Sequence, residues 1–96
     1  MLVLITYDVD TTTLSGQKRL RKVAKICEGY GQRVQNSVFE CLIDSAQARM
    51  LKAALGEIIN PEKDSLRFYY LGDNWHGKVE HIGAKPALDL EAPLIV

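Results

Sequence analysis

Leu2 to Val9 is the first hydrophobic stretch of the chain, and it is apolar on both of its alternating faces. Side chains alternate across a strand, so Leu2, Leu4, Thr6 and Asp8 share one face, and Val3, Ile5, Tyr7 and Val9 share the other. Two mostly apolar faces predict a central strand. Asp8 then stands at its C-terminal end, where the chain leaves the sheet. A polar, Thr-rich loop with several cap candidates follows from Asp10 to Gly16. Helical spacing overlaps its end, running from Leu14 to near Glu28. Leu20, Val23, Ala24 and Cys27 recur at intervals of three and four and build one apolar face. Gly29 and Gly31, on either side of Tyr30, supply the stop.

The stretch from Arg33 to Ile43 reads as two strands joined by a tight turn at Gln35-Asn36-Ser37, where Asn tolerates a left-handed backbone. Val38 to Ile43 has strong strand character. Asp44 or Ser45 caps a second helix. With Asp44 as the cap, Gln47 falls at the capping-box position. Leu51, Ala54, Leu55 and Ile58 form the inward stripe, and Asn60-Pro61 ends the helix. Leu66 to Leu71 alternates again as a fourth strand. Gly72-Asp73-Asn74 turns the chain, and Lys78 to Ile82 is a weaker fifth strand. Gly83 and Pro86 open a tail that closes on Pro93-Leu94-Ile95-Val96.

This order predicts an α+β protein with the ferredoxin-like βαββαβ pattern, an antiparallel sheet and both helices on one face. An additional C-terminal strand follows the pattern. The expected division is a domain over residues 1–84 and a tail over 85–96. Leu94 and Ile95 are expected to add a strand at a dimer or partner interface. The sheet face away from the helices is apolar and lacks a cover. A second copy would cover it, so a two-fold homodimer is expected.

The chain has 96 residues, enough for one domain with a modest core. Its 12 basic and 12 acidic residues cancel, so total charge announces no nucleic-acid partner. The placement of charge changes that picture. Lys18, Arg19, Arg21, Lys22, Lys25 and Arg33 hold six of the 12 positive charges, and no acid lies between Thr11 and Ile26. Lys18, Arg21, Lys22 and Lys25 fall within about 100° of helical arc. Such a face suits phosphate contacts, and equally a solvated helix surface. Cys27 and Cys41 form no CxxC pair and are expected to be small core residues in a reducing, cytoplasmic setting. No stretch has the length of a membrane span.

Asp8 is the first candidate for chemistry. A carboxylate at a strand end has its direction set by the backbone and suits a hard cation. The alternative is a turn residue bonded to backbone amides. One carboxylate is a sparse site, and a two-fold axis that joined both Asp8 side chains would double it. Asp10 is a helper or, alternatively, a helix-entry cap or a solvated loop residue. His76 and His81 have no ligand partner at a recognisable spacing. Tyr7, Phe39 and the run Phe68-Tyr69-Tyr70 read as core or interface aromatics.

Leu2 to Val9 resembles the first strand of the CRISPR-associated protein 2 family, as does Lys18 to Val23 the helix that follows. Gly31 to Glu40 is similar to the family's second and third strands. Lys78 to Gly83 and the tail resemble the branch associated with type I-C systems. The resemblance covers almost the whole chain, and Tyr7-Asp8 combined with Ser37-Val38-Phe39-Glu40 is specific. It implies a homodimer that joins the CRISPR-associated integrase in acquiring spacers for antiviral defence. It also implies metal-dependent endonuclease activity on double-stranded DNA or RNA, with Asp8 as catalytic metal ligand and Mg²⁺ or Mn²⁺ as cofactor. Arg19 and Arg33 match positions the family often keeps basic, and Phe39 matches its shared strand motif. A non-catalytic DNA-binding scaffold for the integrase is the alternative. A ferredoxin-like regulatory or small-molecule module is a third.

Overall fold

The computed structural model describes residues 1–71 and 79–84. Period-two alternation becomes β1 (Leu2–Asp8), in which Val3, Ile5 and Tyr7 are buried. The three- and four-residue spacing becomes α1 (Leu14–Glu28). Thr13 caps α1, its side chain accepting a hydrogen bond from the Gly16 amide. β2 (Gln32–Gln35) and β3 (Val38–Leu42) flank the turn at Asn36-Ser37. A register shift between Arg33 and Gln35 interrupts their pairing. β2 is exposed throughout, as befits an edge.

α2 (Ser45–Ile58) starts with the expected capping box. The Asp44 carboxylate accepts from the Gln47 amide at 2.7 Å, and the Gln47 side chain accepts from the Asp44 amide at 3.0 Å. Losing this cap in Asp44→Ala is expected to destabilise the fold by about 1 kcal/mol. Urea unfolding monitored by circular dichroism checks it. β4 (Ser65–Leu71) and β5 (Val79–Gly83) complete the described elements.

The sheet order is β2-β3-β1-β4-β5, and every neighbouring pair is antiparallel. The expected α+β, ferredoxin-like architecture is therefore the observed one, with β5 added beside β4. β1 is central, as its two apolar faces demanded. Its Val3, Ile5 and Tyr7 join Phe39, Cys41, Leu66 and Phe68 beneath the buried residues of the helices: Val23, Cys27, Ala48, Leu51 and Leu55. Lys52 of α2 reaches Glu80 of β5 at 2.5 Å, and the Tyr70 hydroxyl donates to the same carboxylate. These contacts tie the added strand to the helix layer.

The opposite sheet face carries Leu2, Leu4 and Thr6 of β1 beside Val38, Glu40 and Leu42 of β3 and Arg67, Tyr69 and Leu71 of β4. Leu42 is 81% exposed and Leu71 37%. The expected turn at Gly72-Asp73-Asn74, His76 and the tail with Leu94 and Ile95 lie outside the described residues.

Candidate functional site

β1 aims Asp8 away from the core. Tyr7 before it is 4% exposed and Val9 after it 8%, whereas Asp8 itself is exposed. Alternation therefore puts the carboxylate on the face that the helices leave open. Asp8 pairs with Ser65, and Thr6 with Arg67. Thr6, Asp8, Ser65 and Arg67 line one shallow depression of about 320 Å³. Arg67 in turn pairs with His81 of β5. Burial, and then the Arg67 charge, hold the His81 imidazole below its ordinary range. Its Nε2 is buried without a hydrogen-bond partner among the described residues.

The loop after Asp8 is built around Asp10. One carboxylate oxygen of Asp10 accepts from the Thr12 amide at 3.0 Å and from the Thr12 hydroxyl at 2.7 Å. Those bonds hold its carboxyl below the usual range. Asp10 thus organises the loop, and the helix-entry cap foreseen for it falls to Thr13.

Arg19, expected to contact phosphate, is also engaged inside the fold. Its Nε donates to Asp64 Oδ2 at 2.7 Å and its Nη2 to Asp64 Oδ1 at 3.3 Å. Nη1 donates to the Ser15 hydroxyl at 2.7 Å. These bonds use three of the five guanidinium N–H donors and give the fully buried Asp64 a countercharge.

The other five basic residues are exposed. Lys18, Arg21, Lys22 and Lys25 share one exposed face of α1, and Arg33 stands on β2. Lys18 and Lys22, with Arg19 between them, border a cleft with Glu57 and Ile58 of α2. Arg21 and Arg33 border a second cleft with Tyr7, Asn36 and Ser37. Both clefts belong to the helix layer, so the basic stripe and Asp8 stand on opposite sides of the sheet. Tyr7 and Phe39 are core residues. Their rings stack with centroids 6.0 Å apart, and the Tyr7 hydroxyl donates to the Asn36 carbonyl oxygen. The Arg33 guanidinium sits 5.3 Å from the Phe39 ring centre.

Among the described residues no three His, Cys, Asp or Glu side chains gather to hold a metal ion. Cys27 and Cys41 are free, buried thiols. Burial, chiefly, pushes Cys27 up to about 12, which disfavours a thiolate there. No helix among the described residues is long and apolar enough to cross a membrane.

Asp64 and Arg67 were missed by reading the sequence. Asp64 looks like one more loop acid after Asn60-Pro61, and only the register places Arg67 beside Asp8. The fold and this site define a ferredoxin-like protein with a strand-end carboxylate and basic helical clefts.

Residues 1–79 match the model of the family described as CRISPR associated protein Cas2. A relative from Halalkalibacterium halodurans, named CRISPR-associated endonuclease Cas2, is 67% identical, with 99% of each chain covered. Another from Nitratidesulfovibrio vulgaris, named CRISPR-associated endoribonuclease Cas2, is 62% identical over all of this chain and 94% of its own. The crystal structure of Streptococcus pyogenes Cas2 at pH 6.5 is similar, with a TM-score of 0.71 and 59% identity. That likeness covers 78% of this chain and 90% of the other. The chain belongs to the CRISPR-associated protein 2 family.

Proposed function

We propose that this chain hydrolyses phosphodiester bonds in DNA or RNA, as a homodimer acting in spacer acquisition. The observation that carries the reading is the exposed Asp8 carboxylate at the end of the central strand, sharing a depression with Arg67. The names of the relatives, endonuclease and endoribonuclease, support it.

Mg²⁺ is usually held by one or two carboxylates together with waters and substrate phosphates. One Asp8 suits such an ion, with the phosphate completing the shell, and a second Asp8 across a two-fold axis would strengthen it. A bound Mg²⁺ or Mn²⁺ would polarise the phosphoryl group and lower the pKa of a water. Arg67 supplies a permanent positive charge beside that place, suited to a phosphate oxygen. Cleavage of duplex DNA and of RNA by the wild type and by Asp8→Ala, with Mn²⁺ and with chelator, tests the reading. Equal cleavage by both proteins refutes it.

The homodimer rests on the open sheet face, where Leu2, Leu4, Tyr69 and Leu42 present apolar surface. A second copy of the same face would remove it from water. Leu42→Asp is expected to raise the dimer dissociation constant at least about tenfold, which is 1.4 kcal/mol. Sedimentation velocity across a dilution series measures it, and an unchanged dimer moves the interface elsewhere.

One observation favours the second reading, a scaffold that holds DNA for the CRISPR integrase. Lys18, Arg21, Lys22, Lys25 and Arg33 stand on the helix side of the sheet, away from Asp8. A duplex tracked along those clefts would not lie on the carboxylate of the same chain.

A further inference from the structure

We propose that Asp64, acting through Arg19 and Asp10, is the positioning residue for Asp8. The inference rests on the reading of Asp8 as the cation-holding carboxylate. Asp64 lies next to Ser65, the cross-strand partner of Asp8. Its Oδ1 accepts from the Asp10 amide at 3.0 Å, two residues beyond Asp8. Its Oδ2 accepts from the Asn60 amide at 2.8 Å. The Arg19 guanidinium bridges both oxygens.

The backbone of Asp64 is engaged as well. Its amide donates to the Asn60 carbonyl at 2.7 Å, and its carbonyl accepts from the Ala84 amide at 2.8 Å. One fully buried residue thus gathers the exit of β1, the first turns of α1, the loop after α2 and the end of β5. Two glycines let the backbones close on this point. Gly83 has φ 121°, and a Cβ there would strike the Asp64 carbonyl. A Cβ on Gly16 would strike the Asp10 carbonyl.

A general staple would not need this chemistry. Burying charge is unfavourable unless geometry and further hydrogen bonds compensate, and an apolar pair of like volume often stabilises as well. What the ion pair supplies is direction. A carboxylate with four fixed donors sets where the Asp10 amide lies, and the Asp8–Ser65 pairing carries that placement to Asp8. Partners bonded directly to a metal ligand are worth about 10–100-fold in metal affinity, and Asp64, acting one step further out through the backbone, is assigned the lower end.

The test uses the full chain with Asp64→Asn and Arg19→Lys, and with Leu51→Ala as a control for lost stability. Two quantities are read: amide exchange at Asp10 relative to Ile5, and the Mn²⁺ concentration for half-maximal cleavage. In both node variants the Asp10 amide should exchange about tenfold faster, and half-saturation should need about tenfold more Mn²⁺. The rate at saturating Mn²⁺ should stay within a few-fold of wild type. Leu51→Ala should lower the melting temperature and move neither quantity.

A folded Asp64→Asn protein with the wild-type Mn²⁺ requirement overturns the inference. So does a Leu51→Ala protein with the same Mn²⁺ shift, because general loosening would then explain it. If Asp64→Asn does not fold, Arg19→Lys decides alone, and an unchanged Mn²⁺ requirement overturns the inference. Failure of the underlying reading has a separate signature: Asp8→Ala would cleave as wild type does, and the positioning role would fall with it.

Discussion

Asp64→Ala is expected to destabilise the protein by about 3–5 kcal/mol, because it removes both the countercharge of the partly buried Arg19 and a buried hydrogen-bond acceptor. Solvent screens the pair little, since the Asp64 side chain is 0% exposed and that of Arg19 14%. The substitution also strips an acceptor from two backbone amides, Asp10 and Asn60. For a domain of this size each kcal/mol moves the melting temperature by about 4–8 °C. The transition should therefore fall by well over ten degrees.

The same residue gives the stability a direction in pH. Burial alone would push the Asp64 carboxyl up, but hydrogen bonds from Arg19, Asn60 and Asp10 outweigh it and hold the group below its ordinary range. A depressed folded pKa means the carboxylate stabilises the fold above the unfolded value, about 3.9. That contribution is lost as pH falls through the lower folded value. Wild type should weaken below about pH 4, and Asp64→Ala should lack this share of the acid dependence. Urea unfolding from pH 3 to 7 compares the two, and parallel curves would refute the assignment.

Asp8→Ala should do the opposite, ending cleavage while leaving the fold alone. The side chain is exposed, and surface substitutions of this kind usually stay within about 0.5 kcal/mol. The loss of rate should exceed about 100-fold, since even an outer partner of a metal ligand is worth 10–100-fold. Reversing the charges of Lys18, Arg21 and Lys22 should weaken retention of duplex DNA and flatten its salt dependence by about one logarithmic unit per lost phosphate contact. The two sets of variants separate the readings. Spacer acquisition in cells that survives Asp8→Ala but not the charge reversals would make the protein a scaffold. Loss with Asp8→Ala alone would make the carboxylate essential.

Much of the architecture was legible in the residues. The caps and strand ends were local chemistry. Asp44 and Gln47 are three positions apart and need no tertiary partner to form their box. The exposure of Asp8 was legible in the alternation of β1, because a strand's period assigns every residue a face. The basic stripe was legible as a helix face, yet the clefts beside it were not. Which cleft each basic residue borders depends on how α1 lies between α2 and the β2–β3 hairpin.

Pattern and capping in the sequence alone determined the elements, their order, the central place of β1 and the position of Asp8 at its end. These follow from interactions within a few residues of the chain. Only the tertiary structure decided that Arg19 belongs to Asp64, 45 positions away, and that Arg67 rather than the α1 stripe stands beside Asp8. The reason is physical. Periodicity tells which face a side chain takes, whereas strand register and the packing of a buried charge choose its neighbour.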